Sequence, residues 1–147
     1  MDVRRLQPGD RDQWDELWQG YLVFYEHHLD DATTDRTWAR LVDEDASLLG
    51  LGAFDGDELV GICHLITHPS TWSVAPYCYL EDLFVRPGRR GQGVGGTLIA
   101  AATTEARAAG ASKLYWQTHT GNATARRLYD HVAEHAGFIV YEIELDA

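Results

Sequence analysis

Four glycines within six residues, Gly91, Gly93, Gly95 and Gly96, stand where strand-like sequence gives way to helix-like sequence. The whole stretch reads Val85-Arg86-Pro87-Gly88-Arg89-Arg90-Gly91-Gln92-Gly93-Val94-Gly95-Gly96. Upstream, Tyr77–Val85 has strand character and Pro87 ends it. Downstream, Val94, Leu98, Ala102, Ala106 and Ala109 share one helical face, and Gly110 supplies the stop. The fold must therefore place a strand and a helix on the two sides of this turn. Successive glycines let a backbone point its N–H groups inward and approach a ligand closely. The helix adds unpaired N–H groups and the positive end of its dipole, so the turn is a seat for an anion, with Arg86, Arg89 and Arg90 reinforcing it.

The rest of the chain supplies the frame. Val3–Leu6 reads as a strand closed by Pro8-Gly9. Asp12 to His28 reads as a helix, because Trp14, Leu17, Trp18, Tyr21 and Tyr25 recur at intervals of three and four. A short helix follows around Thr34–Val42. Leu48–Phe54, the turn Asp55-Gly56 and Glu58–Thr67 make a hairpin. Thr71–Pro76 connects to the strand Tyr77–Val85, Ser112–Thr118 is a further strand, Asn122 to Ala136 a helix, and Phe138–Leu145 a last strand. The order β-α-α-β-β-β-α-β-α-β predicts a mixed α/β (α+β) domain. Its sheet is central and largely antiparallel, with helices on both faces. Without repeats or linkers, residues 1–147 read as a single domain.

The 147 residues carry a formal net charge of −11, with 23 acidic against 12 basic side chains. Nucleic acid is excluded by that balance, which suits cationic partners such as amines and equally a solubilising surface. No apolar run is long enough for a membrane span and no secretory leader is seen, so a cytoplasmic protein is expected. Cys63 and Cys78 read as reduced core thiols, and no Cys/His cluster has metal-ligand spacing, so no metal is expected.

Gly91–Gly96 also satisfies the dinucleotide pattern G-x-G-x-x-G. That reading needs a carboxylate about twenty residues further on, where the chain has Leu114-Tyr115-Trp116-Gln117-Thr118. No Lys-Ser or Lys-Thr follows the glycines, which removes the P-loop. By contrast, Arg90-Gly91-Gln92-Gly93-Val94-Gly95 resembles the Arg/Gln-x-x-Gly-x-Gly/Ala motif of the GCN5-related N-acetyltransferases, the GNAT superfamily. Asn122-x-x-Ala125-x-x-Leu128-Tyr129 is similar to the marker that opens that family's next helix. Tyr79-Leu80-Glu81-Asp82-Leu83-Phe84-Val85 looks like the diamine and thialysine acetyltransferases. The longer tail from Leu128 to Phe138 is similar to histone, polyamine and D-amino-acid acetyltransferases.

The resemblance implies acetyl-CoA as co-substrate. Arg90, Gly91, Gln92, Gly93, Val94, Gly95 and Gly96 would hold its pyrophosphate, and Leu83, Phe84 and Val85 its pantetheine arm. Asn122 and Ala125 would line the arm from the helix that carries Tyr129, the candidate acid for the departing thiolate. The acceptor would be a small cationic amine, a polyamine or amino acid, with Tyr25, Glu26, Glu81 and Asp82 forming its site. A lysine-like amine is neutral in roughly one molecule in 2,500 at pH 7, a handicap of about 4.6 kcal/mol that a nearby carboxylate can offset. Glu81 is the first candidate and Asp82 the second. Adjacent strand residues face opposite ways, so only one reaches the site unless a bulge intervenes. Trp72 is a further pocket candidate; His119 reads as surface, and Trp14 and Trp18 as core. A protein-lysine acetyltransferase, a non-catalytic acyl-CoA-binding module and a nucleotide-dependent oxidoreductase are the competing readings. Similar small-amine enzymes are commonly dimers, so the resemblance implies a homodimer.

Overall fold

A computed structural model describes residues 1–147, which divide into two compact units, Met1–Gln117 and Thr118–Ala147. In the first unit, five strands form one sheet in the order β1-β2-β3-β4-β5: β1 (Asp2–Arg5), β2 (Leu48–Asp55), β3 (Glu58–Ser70), β4 (Ser73–Val85) and β5 (Lys113–Tyr115). The first four run antiparallel to their neighbours and β5 joins β4 in parallel. Antiparallel neighbours need only tight turns, whereas the parallel step needs a crossover, supplied by α3 (Val94–Ala108).

α1 (Arg11–Phe24) and α2 (Asp31–Leu41) cover one face. The Asp30 carboxylate accepts from the Thr33 N–H at 2.8 Å and starts α2, a cap worth about 1 kcal/mol. Trp14, Trp18 and Trp38 pack among Leu6, Leu17, Leu41, Leu59, Ile62 and Phe84. Trp14 is fully buried, its ring 4.8 Å from that of Trp38 and 5.6 Å from that of Trp18. Both tryptophans of α1 are thus core, as their spacing predicts. α3 covers the opposite face with Val94, Leu98, Ile99, Ala102 and Ala106 buried. Gly61 lets it come close, since a Cβ there would lie 2.8 Å from Val94 Cγ1 and 2.9 Å from Leu98 Cδ1.

Three expectations need correction. The β2–β3 turn is Gly56-Asp57 rather than Asp55-Gly56: Asp55 pairs with Glu58, and Gly56 takes the positive φ of 59°. Thr71–Pro76 is not simply a connection. β3 and β4 extend to a Ser70–Ser73 pair, leaving Thr71 and Trp72 as the turn, with Trp72 81% exposed. Phe138–Leu145 is not a strand: no ladder includes it, and its large apolar side chains are exposed. Its β-branched and aromatic content marks suitability for a pleated surface, but a strand exists only when another strand pairs with it. The second unit's ordered element is α4 (Ala123–Val132).

Candidate active site

The expected anion seat has the required backbone. After β4 the chain makes one tight helical turn at Pro87–Arg89, and Gly91 and Gly93 then take φ of 80° and 81°. Those left-handed angles explain the glycines, since a Cβ at either position would meet nothing within 4 Å. Gly93 is the N-cap of α3 and offers no side chain to the first turn. The N–H groups of Val94, Gly95 and Gly96 precede the first residue able to bond back along the helix, and that residue, Thr97, donates to Gly93 O at 3.0 Å. The seat therefore presents uncapped donors beside open space, which fits a pyrophosphate.

The arginines share the work unequally. Arg86 pairs with Glu16 at 3.3 Å and donates to Leu59 O. Arg89 pairs with Asp55 at 2.7 Å and Glu58 at 3.1 Å, pinning the turn to the β2–β3 hairpin. The expectation that all three reinforce the seat is thus corrected: two are neutralised braces. Arg90 donates to Val85 O at 3.3 Å and lies on the Phe24 and Phe84 rings, held without a carboxylate.

β4 leads into this seat with one edge uncovered. β5 pairs with Tyr77, Cys78 and Tyr79 and goes no further, whereas β3 stays paired with β4 through Val85. The outer edge of Leu83, Phe84 and Val85 consequently lacks a strand partner, as an extended amide-bearing arm would require.

A bulge decides where the carboxylates point. His64 pairs with Asp82 and Leu65 with Leu80, so Glu81 is the extra residue in β4. An extra residue shifts the alternation of the strand by one. Cys78 faces α3, lining a cavity of about 250 Å³ with Glu105 and Ala108, while Asp82 and Phe84 face α1. Glu81 keeps the parity of Tyr79 and also lies on the α1–α2 side, where Asp82, His64 and Arg40 act on its charge. Partial burial is the larger cause, and the Asp82 charge the second, that push its carboxyl above the ordinary value. Both carboxylates therefore lie on one face of the sheet, the exception that a bulge allows.

Of the other expected amine-side residues, Tyr25 is half-buried at the end of α1, its hydroxyl pushed up by burial and then by the Asp82 charge. The ring lies tilted against that of Tyr21, their centroids 4.9 Å apart. Glu26 is exposed with a positive φ of 53°, the only non-glycine residue so bent, and no contact ties it to the carboxylates. The three-residue and seven-residue steps Asn122, Ala125, Tyr129 fall along one side of α4, all half-buried within the second unit. Asn122 stands at the N-cap, its amide donating to Thr118 Oγ1 at 3.2 Å. His119 is exposed.

Two residues at the site escaped the sequence reading. The Tyr21 hydroxyl bonds to Asp82, and His64 Nδ1 stands 2.9 Å from Asp82 Oδ2. Tyr21 sits one helical turn before Tyr25 on the same face, which could have found it. His64 carries no local signal.

Residues 11–133 match the acetyltransferase (GNAT) family. The chain belongs to that family. This GNAT protein is 31% identical over 142 residues to the D-amino-acid N-acetyltransferase HPA3 of Saccharomyces cerevisiae, covering 95% of its own chain and 88% of the relative. It is 36% identical over 89 residues to the thialysine N-epsilon-acetyltransferase of Caenorhabditis elegans, covering 60% of the chain and 55% of that relative. A solved aminoglycoside acetyltransferase in complex with a CoA–acetylneamine bisubstrate analogue shares the fold, with a TM-score of 0.83 at 20% identity over 99% of this chain and 98% of that one. As a GNAT N-acetyltransferase it is an enzyme whose family uses acetyl-CoA as co-substrate. No group of three or more His, Cys, Asp or Glu is placed to hold a metal ion, and no helix is long and apolar enough to cross a membrane.

Proposed function

We propose that this protein transfers the acetyl group of acetyl-CoA to the primary amine of a small cationic substrate, by direct attack with both substrates bound. The observation that carries the reading is the bulge at Glu81. It sets two carboxylates side by side, beside a strand edge that runs uncovered into an uncapped glycine turn.

In this reading the N–H groups of Val94–Gly96 and the Arg90 guanidinium bind the pyrophosphate, with Gly91, Gln92 and Gly93 shaping the approach. The free edge of Leu83–Val85 holds the pantetheine arm and donates an N–H toward the thioester oxygen, where negative charge grows on attack. Asp82 and Glu81 receive the ammonium. Glu81, with its raised carboxyl, passes the proton on, since a base works best when its pKa approaches the working pH. By the resemblance of Asn122–Tyr129 to the family's motif, Asn122 and Ala125 are assigned to the same arm and Tyr129 to protonating the leaving thiolate. Tyr25 lines the amine pocket, and Glu26 adds a negative charge at its mouth.

A relative matched over 95% of the chain is named for D-amino acids, so amino acids of both hands stand beside polyamines, thialysine and lysine peptides in the first assay. Incubation with acetyl-CoA and each amine, followed by thiol titration and product mass, should show CoA release that tracks amine addition and a gain of one acetyl group. Binding of acetyl-CoA without release for any amine would leave only a binding module, and stabilisation by NAD or NADP but not CoA would refute the reading altogether.

A further inference from the structure

His64 is 3% exposed and lies between two fixed partners. The Trp14 indole N–H reaches Nε2 at 3.0 Å, and Asp82 Oδ2 faces Nδ1 at 2.9 Å. An indole nitrogen can only donate, so Nε2 must accept and carry no proton. The ring proton then sits on Nδ1 and points at Asp82. Protonating the ring would set two N–H groups against each other at the Trp14 end. Trp14 itself cannot move aside, being fully buried and packed against Trp18 and Trp38. Asp82 thus faces a neutral imidazole rather than a counter-ion, with Tyr21 donating to it from α1.

We propose that His64 is a positioning residue: locked in one tautomer by Trp14, it fixes Asp82 as the anion that takes the substrate ammonium, and leaves Glu81 to carry the proton. This rests on the amine-acetyltransferase reading above. The division of labour follows from the surroundings. Around Asp82 stand His64 and Cys63 from β3, Tyr21 and Tyr25 from α1, and Glu81 from its own strand. None of them is a permanent cation. Arg40 of α2 acts on Glu81. The negative charge of Asp82 is therefore oriented but not cancelled, which selects an ammonium. The buried donors hold it still while Glu81, at the more exposed bulge, is the one that can exchange a proton with water.

Two measurements on the full chain test this. Long-range ¹⁵N–¹H NMR, with the His64 signal assigned by its loss in His64→Leu, should show the Nδ1–H tautomer, with Nε2 bearing no proton. An Nε2–H tautomer overturns the proposal. In steady-state kinetics, His64→Leu should raise the amine KM about tenfold or more, the loss of one hydrogen bond to a charged group. The KM for acetyl-CoA should stay unchanged, and His64→Asn, whose amide can still donate to Asp82, should recover most of the loss. An amine KM unmoved in folded His64→Leu, or equal losses for both substrates, refutes the positioning role. Should His64→Leu fail to fold, Tyr21→Phe and His64→Asn carry the kinetics: Tyr21→Phe must raise the amine KM selectively, and the NMR signal is then assigned from His64→Asn. If no amine is acetylated at all, the functional reading falls, while the tautomer result still decides whether Trp14 locks His64.

Discussion

Substituting Gly61 by alanine should disturb the proposed cofactor seat through α3, the helix that packs against it. The added Cβ would lie 2.8 Å from Val94 Cγ1 and 2.9 Å from Leu98 Cδ1, against about 3.5–4.0 Å for ordinary carbon contacts. Both neighbours must retreat by roughly 0.6–1.2 Å, and both are buried. Leu98 can turn its terminal methyl, but a helical valine has one favoured rotamer. The first turn of α3 must therefore lift as a body. Overpacking of this kind costs about 1–3 kcal/mol, and a domain of this size loses roughly 2–4 °C of melting temperature per kcal/mol. Val94 is the first residue of α3, so the N–H groups of the seat move with it. CoA affinity measured by calorimetry should fall along with the melting temperature. Val94→Ala in the Gly61→Ala background should restore part of both, giving a coupling energy of about 1 kcal/mol in the cycle. A Gly61→Ala protein with wild-type melting temperature and CoA affinity would refute the link between strand spacing and seat.

The other predictions concern single groups. Gly93→Ala meets no steric obstacle, so its cost should be the left-handed backbone alone, about 1–2 kcal/mol, with Gly93→Asn milder; equal melting temperatures for all three proteins would show that φ is not what demands glycine. Glu81→Gln removes a carboxyl whose folded value is raised. Such a group holds its proton more tightly when folded, so its contribution to stability falls as pH rises from the unfolded value, ~4.3, through the folded one. The variant should therefore gain melting temperature over wild type near pH 7 and lose that gain near pH 4, while turnover drops at neutral pH. A variant equally or less stable at both pH values would contradict the raised carboxyl. Tyr129→Phe should lower kcat far more than acetyl-CoA affinity, and unchanged turnover would remove the tyrosine as the acid.

How far the sequence could be read follows from the range of each interaction. The glycine turn, the helix faces and the Trp14–Trp18 core are set by residues close together in the chain, and periodicity reported them. Pairing partners are not local. Leu48–Asp55 and Glu58–Ser70 announce themselves because a turn joins them, whereas Phe138–Leu145 has strand-like composition and enters no ladder. The basic cluster illustrates the same limit. Three arginines in five residues read alike, yet Glu16, Asp55 and Glu58 arrive from other elements to neutralise two of them.

The carboxylate pair shows why one extra residue outweighs a motif. Glu81 and Asp82 read as alternatives, because a regular strand would send them to opposite layers. Cys78 and Asp82 differ by an even number and should share a face, yet one lines the α3 side and the other bonds His64 and Tyr21 on the α1 side. The parity break lies between them, at the residue opposite no partner. Deleting Glu81 would leave Leu80 toward α3 and Asp82 toward α1 in regular alternation, and would remove only the second carboxylate from the α1 side. The bulge is therefore what sets two carboxylates side by side on one face, and also what a reading of residue types along the chain has no means to place.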